Sequence, residues 1–168
     1  MITIYTDGSS RGNPGPGGYA AVISYKKIVD SEEKDWVTEI GGREDHTTNN
    51  RMELLAAIES LKFVSNLQTV NCKLQTVIYT DSKYVMLGIT EWIHNWVAKG
   101  WRTAGKKPVL NQDLWQELLE VSSNLDIRWE YVAGHTGDHG NERADTVATS
   151  FADGIDPDLY DGPKSEYK

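Results

Sequence analysis

The chain has 168 residues, 39% hydrophobic and 25% charged, with no apolar run long enough to span a bilayer. These numbers exclude a helical membrane protein and a chain too polar to fold, and they predict one globular domain with a sizeable core and no membrane partner; a monomer is expected. A net charge of -8 excludes a protein that coats nucleic acid by bulk positive charge, and the single cysteine, Cys72, excludes an internal disulfide and a cysteine-based zinc cage. No basic leader precedes Asp7, so no signal peptide is expected, and a cytoplasmic setting follows.

The first predicted strand, Ile2 to Thr6, leads into Asp7-Gly8-Ser9. Its letters Ile4-Tyr5-Thr6-Asp7 return as Ile78-Tyr79-Thr80-Asp81, where Val77 to Thr80 predicts a second strand. The chain between them is long enough for a helical crossover. The two strands can therefore lie parallel and adjacent, with both carboxylates at one edge of a sheet. Two acids there repel unless a cation sits between them, which makes a divalent-metal site the leading hypothesis. The alternative is ordinary Asp-Gly and Asp-Ser turn chemistry.

Gly12-Asn13-Pro14-Gly15-Pro16-Gly17-Gly18 predicts a loop. Tyr19 to Tyr25 and Trp36 to Ile40 predict two further strands in an antiparallel meander with the first, and Asp30 to Asp35 a solvated hairpin end. Thr47 to Glu53 then opens a helix whose Leu54, Leu55, Ile58, Leu61 and Val64 recur at helical spacing. Asn50 and Glu53 have the spacing of a capping box, a purely structural use for Glu53. As the crossover, however, this helix can also bring Glu53 to the carboxylate edge. Thr48, Asn49 and Asn50 add donors at its N-terminus, a plausible anion site.

Beyond Asp81 the chain is expected to be helical. From Trp92 to Gln112 there is no acid, while Lys99, Arg102, Lys106 and Lys107 are interleaved with Trp92, Trp96 and Trp101. In a chain this acidic, that segment reads as a nucleic-acid contact, with cations for phosphates and indoles for sugars or bases. Trp92 and Trp96, four apart, fit core packing equally well. Asn111 to Val121 predicts an amphipathic helix, Ile127 to Val132 the last core strand, and Gly134 to Gly140 a mobile turn with His135 and His139. The final helix, Asn141 to Phe151, carries Asp145. The glycines of that turn disfavour a helical zinc pair and favour a histidine that moves protons. Residues 153–168 are rich in Asp, Gly and Pro and predict a flexible acidic tail.

The candidates collected in this way are Asp7, Glu53, Asp81 and Asp145, with His135. Hard carboxylate ligands select Mg²⁺ or Mn²⁺, and a pair of such ions suits phosphodiester hydrolysis. The ordered motifs Thr6-Asp7-Gly8-Ser9, 12–18, Thr48-Asn49-Asn50-Arg51-Met52-Glu53, Thr80-Asp81-Ser82, Gly100-Trp101 through Lys106-Lys107-Pro108-Val109, Gly134-His135 and 141–145 resemble a type 1 ribonuclease H of the bacterial kind. The resemblance runs to about Ala152, making 1–152 the catalytic domain, 92–108 a basic protrusion and 153–168 the tail.

The resemblance implies an α/β ribonuclease H-like fold, with a five-stranded mixed sheet in order 3-2-1-4-5 and helices packed on its faces. It implies endonucleolytic cleavage of the RNA strand of RNA/DNA hybrids, leaving 5′-phosphate and 3′-hydroxyl ends. Asp7 would bridge two Mg²⁺ ions, with Mn²⁺ as a substitute. Glu53 and Asp81 would hold the ion on the leaving-group side and Asp145 the one that activates water. His135 would assist proton transfer or product release. Asn13, Thr48 and Asn49 would grip a DNA phosphate, Asn50 would read the minor groove, and Trp92, Trp96, Lys99, Trp101, Arg102, Lys106 and Lys107 would embrace the DNA strand. A hybrid-binding module without catalysis is the alternative, and a strand transferase or exonuclease on the same fold is a further rival.

Overall fold

In the computed structural model, which describes residues 1–67, 74–134 and 137–168, the repeated tetrapeptide pairs with itself. Strand β1 (Ile2–Ser10) runs parallel to β4 (Gln75–Thr80) with Ile4 opposite Ile78, Tyr5 opposite Tyr79 and Thr6 opposite Thr80. The next residue on each strand is the aspartate, so Asp7 and Asp81 emerge level with each other.

β1 also pairs antiparallel with β2 (Gly15–Val29), which pairs antiparallel with β3 (Glu32–Thr47). The loop expected over Gly12 to Gly18 is shorter than its composition suggests, because Gly15 to Gly18 already pair within β2. The β2–β3 hairpin likewise runs past its apolar segments and turns at Asp30-Ser31. Both residues have positive φ (52° and 67°), as a two-residue turn matched to strand twist requires.

Helix α1 (Asn49–Leu67) is the crossover to β4. After β4 come α2 (Lys83–Leu87), a π-helical turn at Gly88–Trp92, α3 (Ile93–Ala98), α4 (Gln112–Ser122), β5 (Asp126–Tyr131) and α5 (His139–Ala152). β5 pairs parallel with β4. The core order 3-2-1-4-5 is as expected.

Strand alternation decides what lies on each face. Ile2, Ile4, Ile23 and Ile78 point to the side covered by α1 and α4, where Leu54, Ile58, Leu61, Trp115 and Leu118 complete the main core. Tyr5, Val22 and Val37 point to the other side, against Ala144 of α5. Helices α1 and α5 thus approach the carboxylate edge from opposite faces.

The tail differs from expectation. Asp161–Pro163 forms β6, antiparallel to β3, and gives a six-stranded sheet ordered β5-β4-β1-β2-β3-β6. Asp161 accepts from Trp36 Nε1 (2.6 Å) and Thr38 Oγ1 (2.8 Å), while Tyr160 and Tyr167 pack on the Val22, Val37 and Ala144 cluster. Average composition predicts disorder here, but docking depends on a few tyrosines and on the unpaired backbone of β3, which averaging does not register.

Candidate active site

Asp7 lies in β1 just past the residues paired with β4 and is buried, with 5% of its surface exposed. Asp81 follows β4 and Glu53 comes from the first turns of α1; one carboxylate oxygen of each lies within 4.8 Å of the others. Glu53 reaches this position because of Gly8. A Cβ on Gly8 would fall 2.3 Å from the Glu53 backbone nitrogen and 2.4 Å from the Met52 carbonyl carbon, so only glycine lets the helix lie this close to β1.

The capping box expected of Asn50 and Glu53 does not form. The Thr48 hydroxyl accepts from the Arg51 N–H (3.2 Å), which leaves the Glu53 carboxylate free to join Asp7 and Asp81. Asp145 comes from α5 on the opposite face. It lies outside the tight trio but adds to the interactions that raise the Asp7 carboxyl. Across from it, Gly134 brings its backbone against Asp81, where a Cβ would sit 3.1 Å from Oδ2.

Crowding acids at a buried edge makes them hold protons. Burial first, then the Asp81 charge, pushes the Asp7 carboxyl from its usual 3.8 up to about 8. Glu53 is raised well above the ordinary carboxylate range by burial and then by Asp7 and Asp81, opposed by the Gly8 N–H. Its Oε2 is enclosed and, among the described residues, has no hydrogen-bond partner. A buried acceptor without a donor is costly, and a cation at that spot would satisfy it. The donor set is all carboxylate oxygen, as Mg²⁺ or Mn²⁺ requires, so the residues fit a hard divalent ion.

Beside the trio, the turn after β1 meets the N-terminus of α1. Asn13 Oδ1 accepts from the Asn49 N–H (2.9 Å) and Asn49 Oδ1 from the Ser10 N–H (2.6 Å), so Asn13, Thr48 and Asn49 form one polar corner. Asn50 stands exposed next to it.

The basic segment is built differently from a row of free indoles. Trp96 sits among Trp115, Trp92 and Trp101 at centroid distances of 5.3, 6.0 and 6.2 Å, and Trp96 and Trp101 pack on the main core. Trp92 keeps 36% of its surface exposed. The tryptophans form a pedestal, and beyond it Arg102 bridges Pro108 to close a small loop that presents Arg102, Lys106 and Lys107 to solvent, with Lys99 exposed nearby. His135 lies outside the described residues.

Some contributors were not evident from sequence. Arg51 pairs with Asp113 (2.8 Å) and its Nη1 donates to Asn111 Oδ1 (3.3 Å), tying the α1 N-terminus to the base of the basic segment. Gly8 is part of a quoted motif, yet only the distance to α1 explains it. Among the described residues no helix is long and apolar enough to cross a membrane.

The RNase H family model matches residues 1–153. The ribonuclease H of Thermosynechococcus vestitus is 52% identical over 151 residues, covering 90% of this chain and 88% of that protein. The ribonuclease H of Alcanivorax borkumensis is 51% identical over 152 residues, covering 90% and 91%. Among solved structures, LC9-RNase H1, described as a type 1 RNase H with the type 2 active-site motif, superposes with a TM-score of 0.78 at 30% identity, covering 99% of this chain and 79% of that one.

Proposed function

The chain belongs to the ribonuclease H family, and we propose how its residues carry out that family's reaction. It is an endoribonuclease that acts on the RNA strand of RNA/DNA hybrids, working as a monomer in the cytoplasm. The observation that carries the mechanism is the trio Asp7, Glu53 and Asp81, one carboxylate oxygen of each within 4.8 Å of the others at one sheet edge, where burial and neighbouring charge push the Asp7 and Glu53 carboxyls up.

In this reading Asp7, Glu53, Asp81 and Asp145 would hold two Mg²⁺ ions, for which Mn²⁺ would substitute: Glu53 and Asp81 would serve the ion on the leaving-group side, Asp145 on α5 the other, and Asp7 both. When bound, the ions supply positive charge that acidifies a water and offsets the charge on the leaving oxygen. Water adds to phosphorus and the bond to the 3′-oxygen breaks, giving 5′-phosphate and 3′-hydroxyl ends. His135, placed by its sequence position after Gly134, would take or return a proton.

The Asn13, Thr48 and Asn49 corner, whose shape the Asn49 N–H to Asn13 Oδ1 bond holds, offers the two side-chain amide groups and the Thr48 hydroxyl as donors to a phosphate of the DNA strand. Asn50 faces the minor groove. Arg102, Lys106, Lys107 and Lys99 follow the DNA backbone, with Trp92 as the exposed indole and Trp96 and Trp101 supporting the loop. Selectivity for RNA follows from its 2′-hydroxyls, which a polar, acid-lined edge can test.

The test is cleavage of an end-labelled RNA strand annealed to DNA, with DNA/DNA and RNA/RNA duplexes alongside. Internal Mg²⁺-dependent cuts in the hybrid alone, lost in Asp7→Asn, support the reading. Binding without cuts by the wild type would favour a hybrid-binding module.

A further inference from the structure

The docked C-terminal segment is the largest built feature that this scheme leaves unused. Glu39 lies on β3 with its side chain 1% exposed. Its carboxylate accepts from Arg143 Nε (2.6 Å) and Nη2 (3.0 Å), from the Tyr160 backbone N–H (2.9 Å) and from the Tyr167 hydroxyl (2.8 Å). Burial would push this carboxyl up, but the Arg143 guanidinium and the donors from the tail outweigh it and hold it below its usual value. A charge kept this deep depends on its partners, and two of them come from the tail. The tail also returns to Arg143, whose Nη2 donates to the Asp158 carbonyl (3.0 Å), and the Tyr167 ring stands edge-on to His139, the first residue of α5, at 5.5 Å.

Arg143 precedes Asp145 by two positions on α5. Two helical residues turn about 200° and rise about 3 Å, so the side chains leave nearly opposite sides of the helix. Arg143 is held by β3 and the tail, while Asp145 bears on Asp7. Beneath α5, Ala144, Val147 and Ala148 lie against Ala20, Val22 and Val37, with Tyr5 and Phe151 packed beside them, and the helix is a rigid rod whose two sides move together. A grip on the Arg143 side therefore sets the pose of the Asp145 side.

We propose that Glu39, Arg143 and Tyr167 are positioning residues: the C-terminal segment clamps α5 so that Asp145 is set against Asp7, and thereby tunes the affinity of the site for its divalent ions. This rests on the reading of Asp145 as an ion ligand.

The experiment compares the wild type with Tyr167→Phe, with a chain ended after Gly154 and with Asp145→Asn, each shown to be folded by near-ultraviolet circular dichroism. The Mg²⁺ midpoint of cleavage, the KM for hybrid at saturating Mg²⁺ and a Mg²⁺ titration of the free protein followed by amide shifts at residues 144–146 are measured. Truncation should raise the Mg²⁺ midpoint roughly tenfold, the low end of what losing support for a metal's ligands costs, and Tyr167→Phe, which removes one bond of the clamp, should raise it by less. The free-protein titration should shift in parallel, with KM for hybrid unchanged and rate restored by excess Mg²⁺. A folded truncated chain with the wild-type Mg²⁺ midpoint, or with a defect confined to KM, overturns the proposal. If truncation prevents folding, Tyr167→Phe decides on the same readouts. A defective Asp145→Asn beside normal tail variants sinks the clamp alone; an Asp145→Asn with wild-type rate and midpoint sinks the reading of Asp145 and the clamp with it.

Discussion

Tyr5 and Tyr79 stack across the β1–β4 pair, their ring centroids 4.8 Å apart and their planes 13° from parallel. The stack holds the register that brings Asp7 and Asp81 level, since a slip of one residue would turn every side chain of the strand to the other face. The chemistry of the site is therefore anchored two residues away from it, on the face that α5 covers.

Asp7→Asn should have opposite effects on activity and stability. Removing a central carboxylate should abolish cleavage, with a loss of roughly 10³-fold or more, about 4 kcal/mol of barrier. The same change removes a charge that burial and Asp81 disfavour, so at pH 8 without metal the variant should melt a few degrees above the wild type. Calorimetry in a chelator checks the second effect, and a lower melting point would contradict the electrostatics assigned to the site.

The pH dependence of the metal-free protein has a definite sign. The Asp7 proton is held more tightly in the folded chain, to about 8 against an ordinary 3.8, and Glu53 shifts in the same direction. Such groups contribute stability that is fully present below the unfolded value and is lost as pH rises through the folded one. From about pH 4 to about pH 8 this site should lower stability by up to about 1.4 kcal/mol per pH unit for each retained proton. Mg²⁺ should reverse the loss at pH 8 in the wild type and not in Asp7→Asn. Urea midpoints across that range, with and without Mg²⁺, give the comparison.

Gly8→Ala should damage the site without touching a ligand. The new Cβ meets backbone atoms of Glu53 and Met52 at 2.3 and 2.4 Å, and backbone cannot step aside as a side-chain tip can. Forced overpacking of this kind costs about 3 kcal/mol, and the helix must retreat, carrying Glu53 from Asp7. Stability and Mg²⁺ midpoint should worsen together; a variant with wild-type Mg²⁺ dependence would show that the close approach is not what places Glu53.

The basic segment should divide into a pedestal and a contact surface. Trp96→Ala removes a ring that packs with Trp92, Trp101 and Trp115 and should cost about 3 kcal/mol of stability. The double change Lys106→Ala with Lys107→Ala should leave stability nearly unchanged, raise KM for hybrid and reduce the slope of log affinity against log salt by about 2. Binding isotherms at several salt concentrations test this, and an unchanged slope would place the phosphate contacts elsewhere.

The sequence by itself determined the strand pairing and the meeting of Asp7, Glu53 and Asp81. The repeated Ile-Tyr-Thr-Asp announces two equivalent strands, a crossover helix between them forces Glu53 toward their common edge, and ordered motifs carry the family. These signals survive in one dimension because each depends on periodicity or on local backbone chemistry. The tertiary structure alone decided the rest. Gly8 matters through its distance from Met52 and Glu53, residues far along the chain. The indoles of Trp96 and Trp101 could serve a ligand or a core, and only the tertiary structure shows Trp96 against Trp115 and both indoles packed on the main core. The tail has the composition of a disordered segment, yet Glu39, a buried charge that must find donors, recruits the backbone of Tyr160 and the hydroxyl of Tyr167 from over a hundred residues away. Burial and long-range pairing create those requirements, and neither exists until the chain has folded.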